Sequence, residues 1–400
     1  MGHHIKSTAA AAAVLMALGS TALAGGFSIR EQSAEGLGSA FAGIGAGTNG
    51  LSAMYWNPAT ISQHNAQGYI SENNISGILA YSRAKNGVGP GTNPDSGNIG
   101  VGAIVPASYS VYGLTDEITV GMAITAPLGL STDADLWRGS PNGDKSDIFS
   151  MNVNPVVAYK PADWITLAAG VQGQYFQVKL SSQFPNGAPL LKTKADDIGF
   201  GFTAGILLEP NNDLDIGIGF RSSISHKLKG DATFLGTGYD ASADFDSPEI
   251  VTLGIKYQVS DQLKLMGGVE WANWSRFKSL NLALSGAPPL ITVENWKDSW
   301  YFSAGAEYDL NDKLTLRGGA AYEKSPVPDS TRTPRLPDND RIWLSAGASY
   351  KINDWLTTNI AYSHVFVKDG GVNLSGPPSP LTANFKQHID IASVSAVVDW

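Results

Sequence analysis

The chain has 400 residues, 45 of them glycine and none cysteine, with 16% charged and 10% aromatic residues and a net charge of -9. Zero cysteines exclude disulfides, thiolate metal sites and cysteine nucleophiles, and the acidic balance excludes the clustered basic surface that nucleic-acid binding requires. Past the N-terminal leader no apolar run approaches the roughly 18 to 20 residues of a transmembrane helix, so a helical membrane protein is excluded.

The chain opens with His3, His4 and Lys6, an apolar run over residues 9–18, and small residues at Ala22 and Ala24. These are the three regions of a secretory signal peptide over residues 1–24, with cleavage expected after Ala24. Residues 26–59 follow, rich in Gly and Ala, without strand alternation, and ending in Asn57-Pro58-Ala59. A segment so apolar and so irregular must be enclosed by something.

From Gly68 onward apolar and small or polar residues alternate with period two. Phe149, Met151, Val153, Pro155, Val157 and Tyr159 share one face of a strand; Ile216, Ile218 and Phe220 share another, as do Trp300, Phe302, Ala304, Ala306 and Tyr308, and Ile342, Leu344, Ala346, Ala348 and Tyr350. The opposite faces are small and sparsely charged, as a semi-enclosed lumen requires. The first strand, near residues 69–81, alternates least cleanly. Short Asp/Asn turns at residues 114–117, 161–164, 209–213, 259–262, 310–313 and 352–355 interleave with long loops near 84–100, 131–147, 181–195, 231–247, 281–295, 325–339 and 369–384. Short turns at one end and long loops at the other predict an all-β outer-membrane barrel of about 14 antiparallel strands.

Tyr159, Tyr257, Tyr308 and Tyr350 stand on the outward phase just before short turns, with Trp164 and Trp355 closing two of them, which predicts an aromatic girdle. The final strand carries its outward phase to Trp400. Eight strands enclose only side chains, whereas 16 to 18 leave an aqueous channel. A barrel of intermediate size needs a plug, and residues 25–62 are the only unassigned apolar material. They are expected to form an N-terminal hatch inside a barrel of residues 63–400.

In residues 117–130 clean alternation runs into Pro127-Leu128-Gly129. Proline removes a ladder donor and glycine marks a bend, so either the wall opens here or the strand merely ends. Apolar tips at residues 188–191, 287–291 and 377–381, containing Leu190, Leu191, Leu290 and Leu381, stand in the expected long loops, as do Leu136 and Trp137. They form either a capture surface for a hydrophobic ligand or local packing between loops. Past the leader the histidines are His64, His226, His364 and His388, and no nucleophile elbow surrounds Ser225-His226. No catalytic, metal or cofactor site is expected, and no nucleic-acid partner.

Several stretches together resemble the FadL family of outer-membrane transporters of fatty acids and other hydrophobic compounds: GFSIREQSAEGLGSAFAG, NPA, PLGL, WRG, NVNPVVAYK, FRSSISHKLKG, EWANWSRF, WKDSWYFSAGAEY and RIWLSAGASYK, in the family's order. The resemblance implies a 14-stranded barrel, a hatch, and an inward kink in the third strand that opens a lateral hole. It assigns Asn57, Pro58 and Ala59 to the hatch motif, Phe27 to the aromatic near the mature N-terminus, and Pro127, Leu128 and Gly129 to the kink. Glu323 resembles an acidic position that faces the kink; a structural ion pair with Arg317 is the other reading. The basic residues with which the family holds a ligand carboxylate fall at residues 181–183 and 291–293, none of them basic here, leaving Lys179, Arg221 and Lys297, with Lys192 and Lys194, as substitutes.

The expected function is passive carriage of a long-chain fatty acid or related hydrophobic small molecule across the bacterial outer membrane, by a monomer in contact with outer-membrane lipid. Neutral aromatic hydrocarbons as cargo, or a porin or receptor barrel without lateral exit, are the alternatives.

Overall fold

A computed structural model describes residues 25–64 and 68–400; the expected signal peptide lies outside the described residues. The wall is one antiparallel sheet closed on itself, whose ladder segments make 14 strands. The first two are Tyr69–Val88 and Ala103–Gly113, and the third comes in two pieces, Ile118–Thr125 and Gly129–Asp133. Strands four to six are Lys145–Ala162, Ile165–Gln183 and Pro189–Asn211. Strands seven to ten are also in two pieces: Leu214–Arg221 and Ser225–Phe234, Thr237–Asp246 and Ile250–Ser260, Leu263–Ala272 and Ser279–Leu284, Ala287–Val293 and Ser299–Asn311. Leu314–Lys324, Arg341–Asn353, Leu356–Leu374 and Leu381–Asp399 complete the wall. The last strand pairs with the first from Ile70↔Asp399 to Val88↔Thr382, which closes the sheet into a cylinder.

Alternation read from the sequence reappears as exposure. Val157, Tyr159, Ile218, Phe302, Tyr308, Ile342 and Tyr350 are exposed on the outside, and Trp164 and Trp355 stand exposed beside the short turns. The long loops differ from expectation in four places. Residues 181–195, 231–247, 281–295 and 369–384 are mostly strand, continuing into hairpins with brief connections at 184–188, 235–236, 285–286 and 375–380. The flanking residues keep the two-residue period: Leu191, Thr193 and Ala195 face inward while Lys192, Lys194 and Asp196 are exposed.

The hatch fills the lumen with a short helix, Ala34–Gly38, and 3-10 turns at Ile44–Ala46, Ser52–Tyr55 and Pro58–His64. Ser33 caps the helix, its Oγ accepting from the Gly36 N–H at 2.9 Å. Irregular backbone buried in a lumen must find partners, and wall side chains supply them. Glu72 accepts from the Leu51 and Ser52 amides at 2.6 and 2.9 Å, and Asn74 from the Ala34 amide at 2.6 Å. Glycine lets the two backbones touch: a Cβ on wall residue Gly219 would lie 1.8 Å from the Trp56 carbonyl oxygen, and one on Gly217 1.8 Å from that of Gly45. Arg317 spans hatch and wall, 3.1 Å from Glu35 and 2.6 Å from Glu307, with all three side chains buried. Charges so buried persist only when paired.

Candidate functional site

The third strand breaks where its sequence removes a donor. Its pairing with strand four stops at Thr125↔Asn152 and resumes at Gly129↔Phe149, and its pairing with strand two stops at Ser108↔Ile124. Above that point residues 103–107 of strand two have no ladder partner in strand three among the described residues, and the isolated bridge Gly100↔Thr132 lies beyond them. The start of the hatch fills this seam. Ile29 donates its amide to the Pro127 carbonyl at 2.8 Å, and Gly129 donates to the Phe27 carbonyl at 2.9 Å. The Gln32 amide nitrogen donates to the Ala126 carbonyl at 2.8 Å. The Ser150 hydroxyl accepts from the Leu128 amide and donates to its carbonyl, at 2.8 and 2.7 Å. The polar backbone of the break is therefore satisfied mainly by the hatch.

Phe27 continues from that bridge into an aromatic cage. Its ring lies 4.8 Å from Trp274, 5.4 Å from Phe245, 5.7 Å from Trp296 and 6.3 Å from Phe277, centroid to centroid, mostly edge-on. The cage residues cluster at the interruptions of strands eight to ten, where the wall folds inward. Phe27 also forms the floor of an apolar pocket walled by Ile148, Phe176, Leu228, Phe245 and Leu282 and continued by loop residues Val327 and Leu336. Its free space is about 160 Å³, close to the roughly 150 Å³ of an apolar cavity that accepts benzene. In this arrangement it has room for one ring or a short alkyl segment.

Two charged side chains line the pocket, Glu294 and Arg335. Glu294 lies at the bend of strand ten and accepts from the Trp296 indole N–H at 2.9 Å; burial pushes its carboxyl up to about 7, against the pull of that bond and of Arg335. Arg335, from the loop after strand eleven, donates to the Lys145 carbonyl at 2.9 Å and has no carboxylate within ion-pair distance among the described residues. Burial lowers its guanidinium to about 10, with Asp144 and Glu294 pulling the other way. Neither residue stands out in sequence, since a lone Glu or Arg in a polar loop gives no period or spacing to read.

The structure disperses the other expected site residues. Asn57 is wholly buried low in the hatch: its amide nitrogen donates to the carbonyls of Gly45 and Ile206 at 2.7 and 3.0 Å, and its Oδ1 accepts from the Ala59 amide at 3.0 Å, starting the turn that contains Pro58. It anchors the hatch to strand six and makes no hydrogen bond to the kink among the described residues. Glu323 is buried, accepting from the Gly25 amide at 2.9 Å and the Trp343 indole at 3.1 Å. Its basic neighbour is Arg341, at 3.7 Å, and not Arg317. Leu191 and Leu290 line the pocket, Leu190 is half-buried on the same hairpin, and Leu136 is exposed. Trp137 and Leu381 are instead interior, packed with Ile99, Val372 and Phe385 in a core between loops, so local packing describes these two. The proposed carboxylate partners lie away from the pocket. Lys179 is on the outer face, paired to Asp147 at 2.9 Å; Lys297 is exposed; Arg221 is buried, donating to the Tyr55 carbonyl at 2.9 Å and stacking on its ring.

Comparison with known proteins places this geometry. A family model described as outer membrane protein transport protein (OMPP1/FadL/TodX) matches residues 15–398. The long-chain fatty acid transport protein of Escherichia coli O6:H1 is 27% identical over 409 residues, covering 90% of this chain and 91% of that protein. The crystal structure of a Pseudomonas aeruginosa FadL homologue superposes with a TM-score of 0.87 at 24% identity, covering 94% of this chain and 99% of the other. That of the Ralstonia pickettii toluene transporter TbuX gives 0.68 at 19%, covering 92% and 98%. The barrel is thus a shared fold.

Proposed function

Because the chain belongs to the FadL and TodX family of outer membrane transport proteins, and is a transporter and not an enzyme, we propose that it carries hydrophobic small molecules passively from the cell surface through the pocket to a lateral exit at the strand-three kink. It acts in the outer membrane. Extracellular hairpins bearing Leu191 and Leu290 deliver the ligand to the pocket. Entry of more than one ring's volume displaces Phe27, and because Phe27 and Ile29 supply the bridge to Pro127 and Gly129, the seam between strands two and three is uncovered in the same movement. The ligand then leaves sideways into lipid, following its hydrophobicity, and no energy source is needed. Asn57 keeps the lower hatch seated meanwhile, so the barrel stays closed to polar solutes. The observation that carries this reading is that one residue, Phe27, both floors the pocket and caps the kink.

The cargo range follows from the same pocket. The fatty-acid relatives suggest a carboxylate-bearing ligand, for which Arg335 is the pocket's cation. The chain acts as a monomer whose outer face meets lipid directly. Uptake of labelled oleate and of a labelled neutral aromatic by cells making the wild type or Gly129→Leu tests the route; a Cβ at Gly129 already lies 2.5 Å from the Ile29 side chain. Loss of both uptakes in the variant is expected. Passage of hydrophilic solutes with no uptake of either hydrophobic ligand by the wild type would make this a porin.

A further inference from the structure

We propose that the amino group released at Gly25 by leader cleavage is captured as a buried cation by Glu323 and Asp338, and that this ion pair fastens the start of the hatch. The inference does not depend on what is transported. Gly25 donates its backbone nitrogen to Glu323 Oε1 at 2.9 Å, and Gly26 donates to Asp338 Oδ2 at 3.1 Å. Both carboxylates are buried, at 3% and 2% exposure. Position 25 must be small: a Cβ there would stand 2.7 Å from Glu323 Oε1.

The local charge balance points the same way. Glu323, Asp338 and the nearby Glu31 are three buried acids, and Arg341 is the cation set between the first two. Arg30, the other guanidinium close by, is committed to Glu270 at 2.7 Å. Glu31 Oε2 has no hydrogen-bond partner among the described residues. Burial pushes Glu31 up to about 7, with Glu323 adding to the rise, and burial raises Asp338 as well. Once Glu31 holds its proton, the two remaining carboxylates face Arg341 alone and the cluster is one positive charge short; uncompensated buried charge is costly.

Cleavage supplies that charge. Hydrolysis of the Ala24–Gly25 peptide bond by a signal peptidase consumes one water and leaves a carboxylate on Ala24 and a primary amine on Gly25. The amine, with an ordinary value of about 7.7 to 8.0, takes a proton at neutral pH. A neutral amide with a single N–H then becomes an ammonium with three donors, beside a carboxylate already within hydrogen-bond distance. Processing thus supplies the charge that the folded barrel pairs with Glu323 and Asp338.

The test uses the mature protein purified from outer membranes. Peptide mass spectrometry identifies the N-terminal residue, and acylation of the α-amine by an amine-reactive ester is followed against pH in the native and the unfolded chain. We expect a chain beginning at Gly25 and a native pH midpoint raised by at least one unit, which slows acylation about tenfold at neutral pH. Glu323→Gln is expected to return the midpoint toward the unfolded value. Simple shielding lowers the rate at every pH without moving the midpoint, so an unmoved midpoint in the wild type overturns the proposal even if the variant does not fold. A mature chain that begins elsewhere overturns it too.

Discussion

The amide of Gly129 donates to the carbonyl of Phe27 at 2.9 Å, so the bend of the third strand is held by the residue whose ring floors the pocket. Removing that ring tests whether the two are coupled. Phe27→Ala deletes contacts with four aromatic rings, a loss of about 3 to 5 kcal/mol for a buried phenylalanine. The bridge at Ile29 and Gly129 should open more often. Hydrogen exchange at both amides is expected to quicken in the variant while exchange at Asn57 stays slow. Equal exchange at Gly129 in variant and wild type would separate pocket from kink.

A second prediction concerns the seal. Gly219→Val places carbon against the Trp56 carbonyl, which is backbone and cannot swing aside. The hatch must lift while the barrel stays closed, and single-channel conductance to small ions should rise from near zero. Gly238→Ala, at a position with open space around it, is the control and should conduct like the wild type.

Protonation of Glu294 gives a pH dependence of known sign. Its folded value of about 7 lies above the model-peptide 4.5, so the folded state holds a proton there that the unfolded chain has lost. Stability from this site is present below 4.5 and is lost as pH rises through about 7. Arg335, Trp296 and the Lys278 carbonyl, bonded to the Glu294 amide at 2.9 Å, are the groups around it. An anionic ligand in the pocket meets a second negative charge above that pH. Fatty-acid affinity, measured by quenching of tryptophan fluorescence, should fall across the neutral range, and Glu294→Gln should flatten the profile.

Arg335→Met separates the cargo classes. A hydrogen bond to a charged group contributes about 1.5 to 3 kcal/mol, or roughly 10- to 150-fold in affinity. Oleate should bind more weakly by that factor, with a neutral aromatic hydrocarbon unaffected. If both weaken alike, Arg335 serves the loop fold and not the ligand.

The wall was legible because lipid on one side and lumen on the other impose a two-residue period, visible from Phe149 to Tyr159 and from Ile342 to Tyr350. Where polar residues took the outer face above the lipid, as at residues 191–196, the same period was present but turn composition outweighed it, and strand was read as loop. Gly129 carried a signal in backbone chemistry, whereas Phe27 was marked only by the family resemblance. Trp137 left two readings open, because an apolar residue in a loop cannot say whether it faces water or another loop. Arg335 and Glu294 line one pocket from segments far apart in sequence, and no local pattern encodes that proximity.

Strands seven to ten are each interrupted while their neighbours Pro189–Asn211 and Leu314–Lys324 run through. The interruptions give the cylinder a seam line between two storeys: a lower one whose glycine-lined bore is fitted to the hatch, and an upper one whose side chains line the apolar pocket. Mutations in the upper storey can reshape what is carried without disturbing the fit below, so a lineage built on this scaffold is free to change its diet while keeping its cell wall tight.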